Sequence, residues 1–268
     1  MEANHTSVLS EHPITPAVRE RIMAELLDIE RRYEVTVLYA CESGSRGWGF
    51  ASPDSDYDVR FLYVHRLDWY LRVEPQRDVI EKPIDDELDV SGWELRKALG
   101  LLHRSNPALL EWLDSPVVYR EDARHGPALR TMAQAFFSPL RGRYHYLSMA
   151  KKNFRGYLQD EMVRYKKYLY VLRPLLAVKW IDAGRGMPPM RFADLVAGTV
   201  DDPALLAEIN ALLEVKMRAG EGEYGMRRPA IHRFIEASLA EVQSPSDYKR
   251  PEGDVAALDT FLRHVILA

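Results

Sequence analysis

Among 268 residues there is one cysteine, Cys41, so an internal disulfide is excluded and a reducing, cytoplasmic setting is expected. No stretch approaches the roughly 18 consecutive apolar residues that a membrane span needs, and no membrane association is expected. The start, MEANHTSVLSEHP, has no basic segment leading into an apolar one, so no secretory signal is expected either. The pattern Gly-x-x-x-x-Gly-Lys-Ser/Thr is missing, which excludes a P-loop, and Gly44, Gly47 and Gly49 do not make Gly-x-Gly-x-x-Gly. The eight histidines are scattered and never form His-Glu-x-x-His, which argues against a zinc site. There is no internal repeat and no low-complexity tract.

What is present reads as an ordinary globular chain, 47% hydrophobic and 28% charged, long enough for two modest cores. The net charge of −4 hides an asymmetry. Between Pro139 and Arg185 eleven Lys or Arg face three acids, a local balance of +8 that leaves −12 for the remainder. A basic block in an otherwise acidic chain points to a partner that carries phosphates, against the plainer reading of solvated helix faces.

Apolar spacing predicts a helix from Pro16 to Glu34, then a buried strand from Val35 to Cys41. The turn Glu42–Ser45 opens a short helix through Gly49, and a second strand runs from Tyr57 to His65. Two more strands are expected at Val79–Lys82 and Glu87–Val90, joined by a turn at Pro83–Asp86. Ser91 reads as the N-cap of a helix from Trp93 to His103. Asn106-Pro107 starts another through Trp112, and Pro116–Arg120 reads as a last short strand. Beyond Ala123 the signals are helical, at Pro139–Gln159, Met162–Asp182, Arg191–Val196, Pro203–Arg218, Pro229–Glu241 and Val255–Leu267. The expected architecture is α+β: a mixed-sheet N-terminal domain over residues 1–122, then an all-helical C-terminal domain over 123–268.

The chemistry concentrates in Gly44-Ser45-Arg46-Gly47-Trp48-Gly49-Phe50 and in Asp54-Ser55-Asp56-Tyr57-Asp58-Val59-Arg60. On an extended segment residues i and i+2 face the same way about 6.6 Å apart, so Asp56 and Asp58 project together. Carboxylates that close repel unless a positive charge stands between them, and hard divalent cations suit oxygen ligands. An Asp-x-Asp pair alone is common in surface turns. Here a Gly-Ser turn follows a buried strand, with ten residues between Ser45 and Asp56. Gly44 permits close backbone approach to a ligand, and Ser45 adds a hydroxyl beside free N–H groups that suit a triphosphate.

This combination resembles the DNA polymerase β superfamily of nucleotidyltransferases. The longer string GSRGWGFASPDSDYDVRFLYV is similar to its RNA-repair-pathway branch, as are SGWELRKALGLLHRSNPALLEWLDSPVVY and KKYLYVLRPLLAVKW. The resemblance implies transfer of a nucleoside monophosphate from a nucleoside triphosphate to a hydroxyl, with release of pyrophosphate. It implies two Mg²⁺ ions, replaceable by Mn²⁺, on Asp56, Asp58 and a third acid from a later strand. Asp89 is that candidate, 31 positions after Asp58, and Glu87 on the same face stays open beside it. Gly44, Ser45 and Arg46 would grip the triphosphate, with Lys152, Lys166, Lys167 and Arg173 from the helical domain closing on the nucleotide or the acceptor. The favoured acceptor is an RNA end. A protein hydroxyl, as in toxin–antitoxin members, and a non-catalytic nucleotide-binding module are the alternatives. Trp48 and Phe50 read as loop packing and Cys41 as a buried structural thiol.

Overall fold

The structure, a computed structural model, describes residues 13–83, 87–218, 222–241 and 248–268. It opens with α1 (Pro16–Tyr33), whose N-cap Thr15 accepts a hydrogen bond from the Val18 N–H and whose Ile22, Leu26 and Ile29 are buried. There follow β1 (Val35–Glu42), the five-residue α2 (Gly44–Trp48), β2 (Tyr57–His65), α3 (Leu67–Tyr70), β3 (Val79–Glu81) and β4 (Leu88–Glu94). Next come α4 (Leu95–His103), α5 (Pro107–Leu113), β5 (Val118–Glu121) and α6 (Gly126–Phe136). The rest is α7 (Pro139–Tyr157), β6 (Met162–Arg164), α8 (Tyr165–Asp182), α9 (Phe192–Thr199), α10 (Pro203–Arg218), β7 (Tyr224–Met226), α11 (Pro229–Ala240) and α12 (Val255–Leu267).

Five strands form one mixed sheet in the order β3-β4-β2-β1-β5. The pair β2/β4 is parallel and the other neighbours are antiparallel. Alternate residues of the strands, Val59, Phe61, Leu88 and Val90 among them, pack with Ile22, Leu26 and Ile29 of α1 into one apolar cluster. Helices α4, α5 and α12 also pack on the sheet, and their buried residues lie outside that cluster.

The α+β class and the helical C-terminal region match the sequence reading, with two local corrections. Ser91 is not an N-cap: β4 runs on through Glu94, and the Glu94 carboxylate caps α4 by accepting from the Lys97 N–H. The strand continues because Leu88 to Glu94 pairs in parallel with Tyr57 to Tyr63, a partner no local signal reveals. Gly92 fits there because the Phe61 ring lies where its Cβ would stand. Met162–Arg164 and Tyr224–Met226 form a short antiparallel pair inside the helical region. The turn expected at Pro83–Asp86 lies, at 84–86, outside the described residues.

The described residues divide into two compact units. A sheet unit takes 13–47, 56–137 and 251–268, and so includes α6 and α12 along with the five-stranded sheet. A helical unit takes 138–250 together with the segment 48–55. Its centre is α8, buried along most of its length from Tyr168 to Ile181. Among the described residues no helix is long and apolar enough to cross a membrane.

Candidate active site

Parallel pairing of β2 with β4 sets Asp58 directly opposite Asp89. Both strands alternate, so the two acids share the face that Val59, Leu88 and Val90 do not use. Two residues along β2 on that same face stands Arg60. Its Nη2 donates to Asp58 Oδ1 at 3.0 Å and to Asp89 Oδ2 at 2.6 Å, and its Nη1 donates to the Asp89 carbonyl at 2.9 Å. The side chains are 17% (Arg60), 27% (Asp58) and 29% (Asp89) exposed, open enough for a ligand yet mostly out of water.

The backbone around Asp58 is fixed from β1. Its N–H donates to Glu42 Oε1 at 2.8 Å, and its carbonyl accepts from the Ser43 N–H at 2.8 Å. Glu42 is fully buried, and its other carboxylate oxygen accepts from the Tyr119 hydroxyl. Burial pushes the Glu42 carboxyl up to about 7, even though the hydrogen bonds from Tyr119 and the Asp58 N–H pull the other way. Gly44 has φ +56, and a Cβ there would land on the Asp58 carboxylate. The close approach that Gly44 makes possible is therefore to Asp58 itself.

Asp56 is exposed and sits one residue before β2. Its carbonyl accepts from Arg46 Nε at 3.2 Å, and the Arg46 guanidinium lies 3.9 Å from the centre of the Tyr57 ring. Arg46 is thus a buried clamp on the turn that leads into Asp58, and Ser45 beside it is buried as well. Glu87 is an exposed residue before β4 whose carbonyl accepts from the Tyr57 N–H. Of the two acids left open by the sequence, Asp89 is the one that faces Asp58.

The donor chemistry suits a hard divalent cation, because two carboxylates already converge on one positive group. Among the described residues no three His, Cys, Asp or Glu side chains stand close enough to hold a metal ion. Such an ion would find two of its three expected carboxylates in place, with Arg60 supplying the charge between them.

A model of the RNA repair pathway DNA polymerase beta family matches residues 18–264. The chain belongs to that family. The match includes every acid described above and runs through the helical unit. The uncharacterized protein YcgL of Bacillus subtilis (strain 168) is 48% identical over 235 residues, covering 88% of this chain and 90% of its own length. A crystal structure of a nucleotidyltransferase-like protein from Exiguobacterium sibiricum 255-15 aligns with 91% of the chain and 79% of its own, at 13% identity and TM-score 0.33. That superposition is too loose to carry an argument.

In this RNA-repair-family chain the other predicted cations lie in the helical unit, each in a different setting. Lys152 is exposed on α7 and Lys166 is half-buried. Lys167 Nζ sits 3.8 Å from the Tyr157 ring centre and 5.0 Å from that of Tyr170. Arg173 is buried, donates from Nε and Nη2 to the Met190 carbonyl, and lies over the Trp48 ring. Trp48 and Phe50 pack against Tyr170 and Phe192, as the loop-packing reading expected. Cys41 is buried, and burial pushes its thiol up, away from the reactive thiolate.

Three residues of note escaped the sequence reading. Arg60 and Glu42 had weak signals: a cation two positions after Asp58 on a strand, and an acid ending an apolar strand. Lys216, buried at the C-terminal part of α10, donates to the Ser52 hydroxyl, and Ser52 in turn hydrogen-bonds Ser55. No sequence signal links residues 164 positions apart.

Removing Arg60 leaves two facing carboxylates without their shared cation. Arg60→Gln is expected to lose about 1–3 kcal/mol of stability in metal-free buffer, the range for charge-assisted hydrogen bonds in a partly exposed setting. Millimolar Mg²⁺ should restore more stability to the variant than to the unaltered protein. Thermal melts with and without Mg²⁺ check this, and identical curves for both proteins would remove Arg60 from the role.

Proposed function

We propose that this chain transfers a nucleoside monophosphate from a nucleoside triphosphate to a hydroxyl of an RNA end, releasing pyrophosphate. The observation that carries the reading is the placement of Asp58 opposite Asp89, converging on one cation, in a chain of this family. The acceptor oxygen bonds to the α-phosphorus, the bond from that phosphorus to the bridging oxygen of the β-phosphate breaks, and pyrophosphate leaves. Asp89 receives the proton of the attacking hydroxyl. Gly44, Ser45 and Arg46 hold the triphosphate beside Asp58, and Lys152, Lys166 and Lys167 offset phosphate charge. Arg173 is spent on Met190 and Trp48, and acts by keeping α8 and the 48–55 segment together. Mg²⁺ ions, or Mn²⁺ in their place, would be held by Asp56, Asp58 and Asp89 and would neutralise charge developing on the phosphates. Catalysis of this kind is mainly positioning and charge neutralisation. A cytoplasmic, reducing setting accords with the single buried thiol.

The test is to incubate the protein with each labelled triphosphate, Mg²⁺, and either total RNA or cell lysate. Label is expected in RNA. Label confined to protein bands would make the acceptor a protein hydroxyl, and no label in any polymer would end the transferase reading.

A further inference from the structure

The basic block has an internal structure that its total charge conceals. Helix α7 carries five Lys or Arg and no Asp or Glu over its 19 residues. Arg143 is used inside the fold, where its Nε donates to Asp182 at 2.8 Å. Lys151, Lys152 and Arg155 make no ion pair among the described residues and line an open groove of about 650 Å³ with Tyr144, Leu147 and Ser148. Tyr144, Ser148, Lys152 and Arg155 follow one another at helical spacing, a stripe of about 16 Å at 1.5 Å per residue. Tyr144 is 54% exposed at one end of it, and Tyr157, 51% exposed, stands just past the other with Lys167 over its ring.

The other groove rich in cations, at the end of β4 and along α4, is different in kind. There Lys97 is paired with Asp78, and Glu74 and Glu94 also line the walls. The lining of the α7 groove, by contrast, contains no acid at all, and its cations stand beside an exposed ring. That combination suits a single nucleic-acid strand: cations follow the backbone, and unstacked bases lie on aromatic faces. A duplex offers no free base face to such rings.

Resting on the reading of an RNA acceptor, we propose that the exposed face of α7, from Tyr144 to Arg155, is the track that binds the acceptor RNA as a single strand. The decisive experiment measures binding of a labelled single-stranded RNA by fluorescence anisotropy across a salt series. The proteins compared are the unaltered chain, K151Q/K152Q/R155Q, and a control of equal charge loss on the sheet unit, R31Q/R66Q/R77Q. The α7 variant should bind at least tenfold more weakly, with a log–log salt slope shallower by about 2, since each lost phosphate contact removes about 0.7 for a single strand. The control should bind nearly as the unaltered chain does, and Tyr144→Ala should lose roughly tenfold through stacking.

Equal RNA affinity and equal salt slope in the α7 variant would overturn the inference while leaving the RNA-acceptor reading intact. An unaltered chain that binds no RNA would end both. Polyglutamate competing as well as RNA of the same charge would assign the face to an acidic protein and overturn the inference.

Discussion

Asp58→Asn is expected to cut nucleotide transfer by on the order of 10²–10³-fold while triphosphate binding and the melting temperature stay close to those of the unaltered protein. The asparagine has the same shape and still offers an oxygen to Arg60 Nη2, so the β2–β4 pairing and the face they share should survive. What disappears is one full negative charge at the point where positive charge gathers. Asp89→Asn should fall by a similar factor. Glu87→Gln, outside the facing pair, should stay within about twofold, inside the range of ordinary surface changes. Incorporation of labelled monophosphate into RNA is the measurement. Transfer that survives Asp58→Asn would remove the facing acids from the chemistry, and loss in Glu87→Gln with activity kept in Asp89→Asn would hand the third position to Glu87.

The second large effect is expected at Gly44. Alanine there meets two obstacles that add. Its φ of +56 is a conformation that costs an L side chain about 1–2 kcal/mol. Its Cβ would also land on the Asp58 carboxylate, which must swing away and abandon Arg60. A displacement near 1 Å of a reacting group costs about 10²-fold in rate, so Gly44→Ala should lose at least that much activity and about 2–4 kcal/mol of stability. Gly49 is the matched control. It also has positive φ, +89, but nothing lies within 4 Å of an added Cβ, so Gly49→Ala should pay only the conformational cost and keep its transfer rate. Equal behaviour of the two variants in melts and in labelling would show that backbone strain, not the approach to Asp58, is what matters at Gly44.

How much of this was legible beforehand depends on the range of the interaction that set each feature. Strand β2 and helices α10 and α12 have the bounds read from the sequence, because their apolar patterns and flanking Pro, Gly and Asp residues are local signals. The β4/α4 boundary was misplaced because Ser91 looks like a cap, and only pairing with β2 carries the chain through Gly92 and Trp93. The same parallel register explains the site. Asp56 and Asp58 could be found from spacing, and Asp89 could be narrowed to two candidates. That Arg60 joins Asp58 to Asp89 follows only from which residues face each other across two strands. Glu42 escaped for a related reason: its burial comes from Tyr119, 77 positions away. Arg173, expected from the sequence at the phosphates, has a guanidinium that hydrogen-bonds the Met190 carbonyl and lies over the Trp48 ring, partners that no local signal reveals.

The segment 48–55 has a practical consequence. The polypeptide leaves the sheet unit after Gly47 and re-enters it at Asp56, and α12 returns to that unit from the far end of the chain. Neither unit can therefore be excised with one pair of cuts. A fragment spanning 138–250 would lack Phe50, which packs edge-on against Phe192, and would leave Lys216 as a buried ammonium deprived of its serine. Truncation libraries and fusion junctions placed near residue 137 should yield insoluble halves, whereas co-expressed fragments have no single break point that keeps both cores whole.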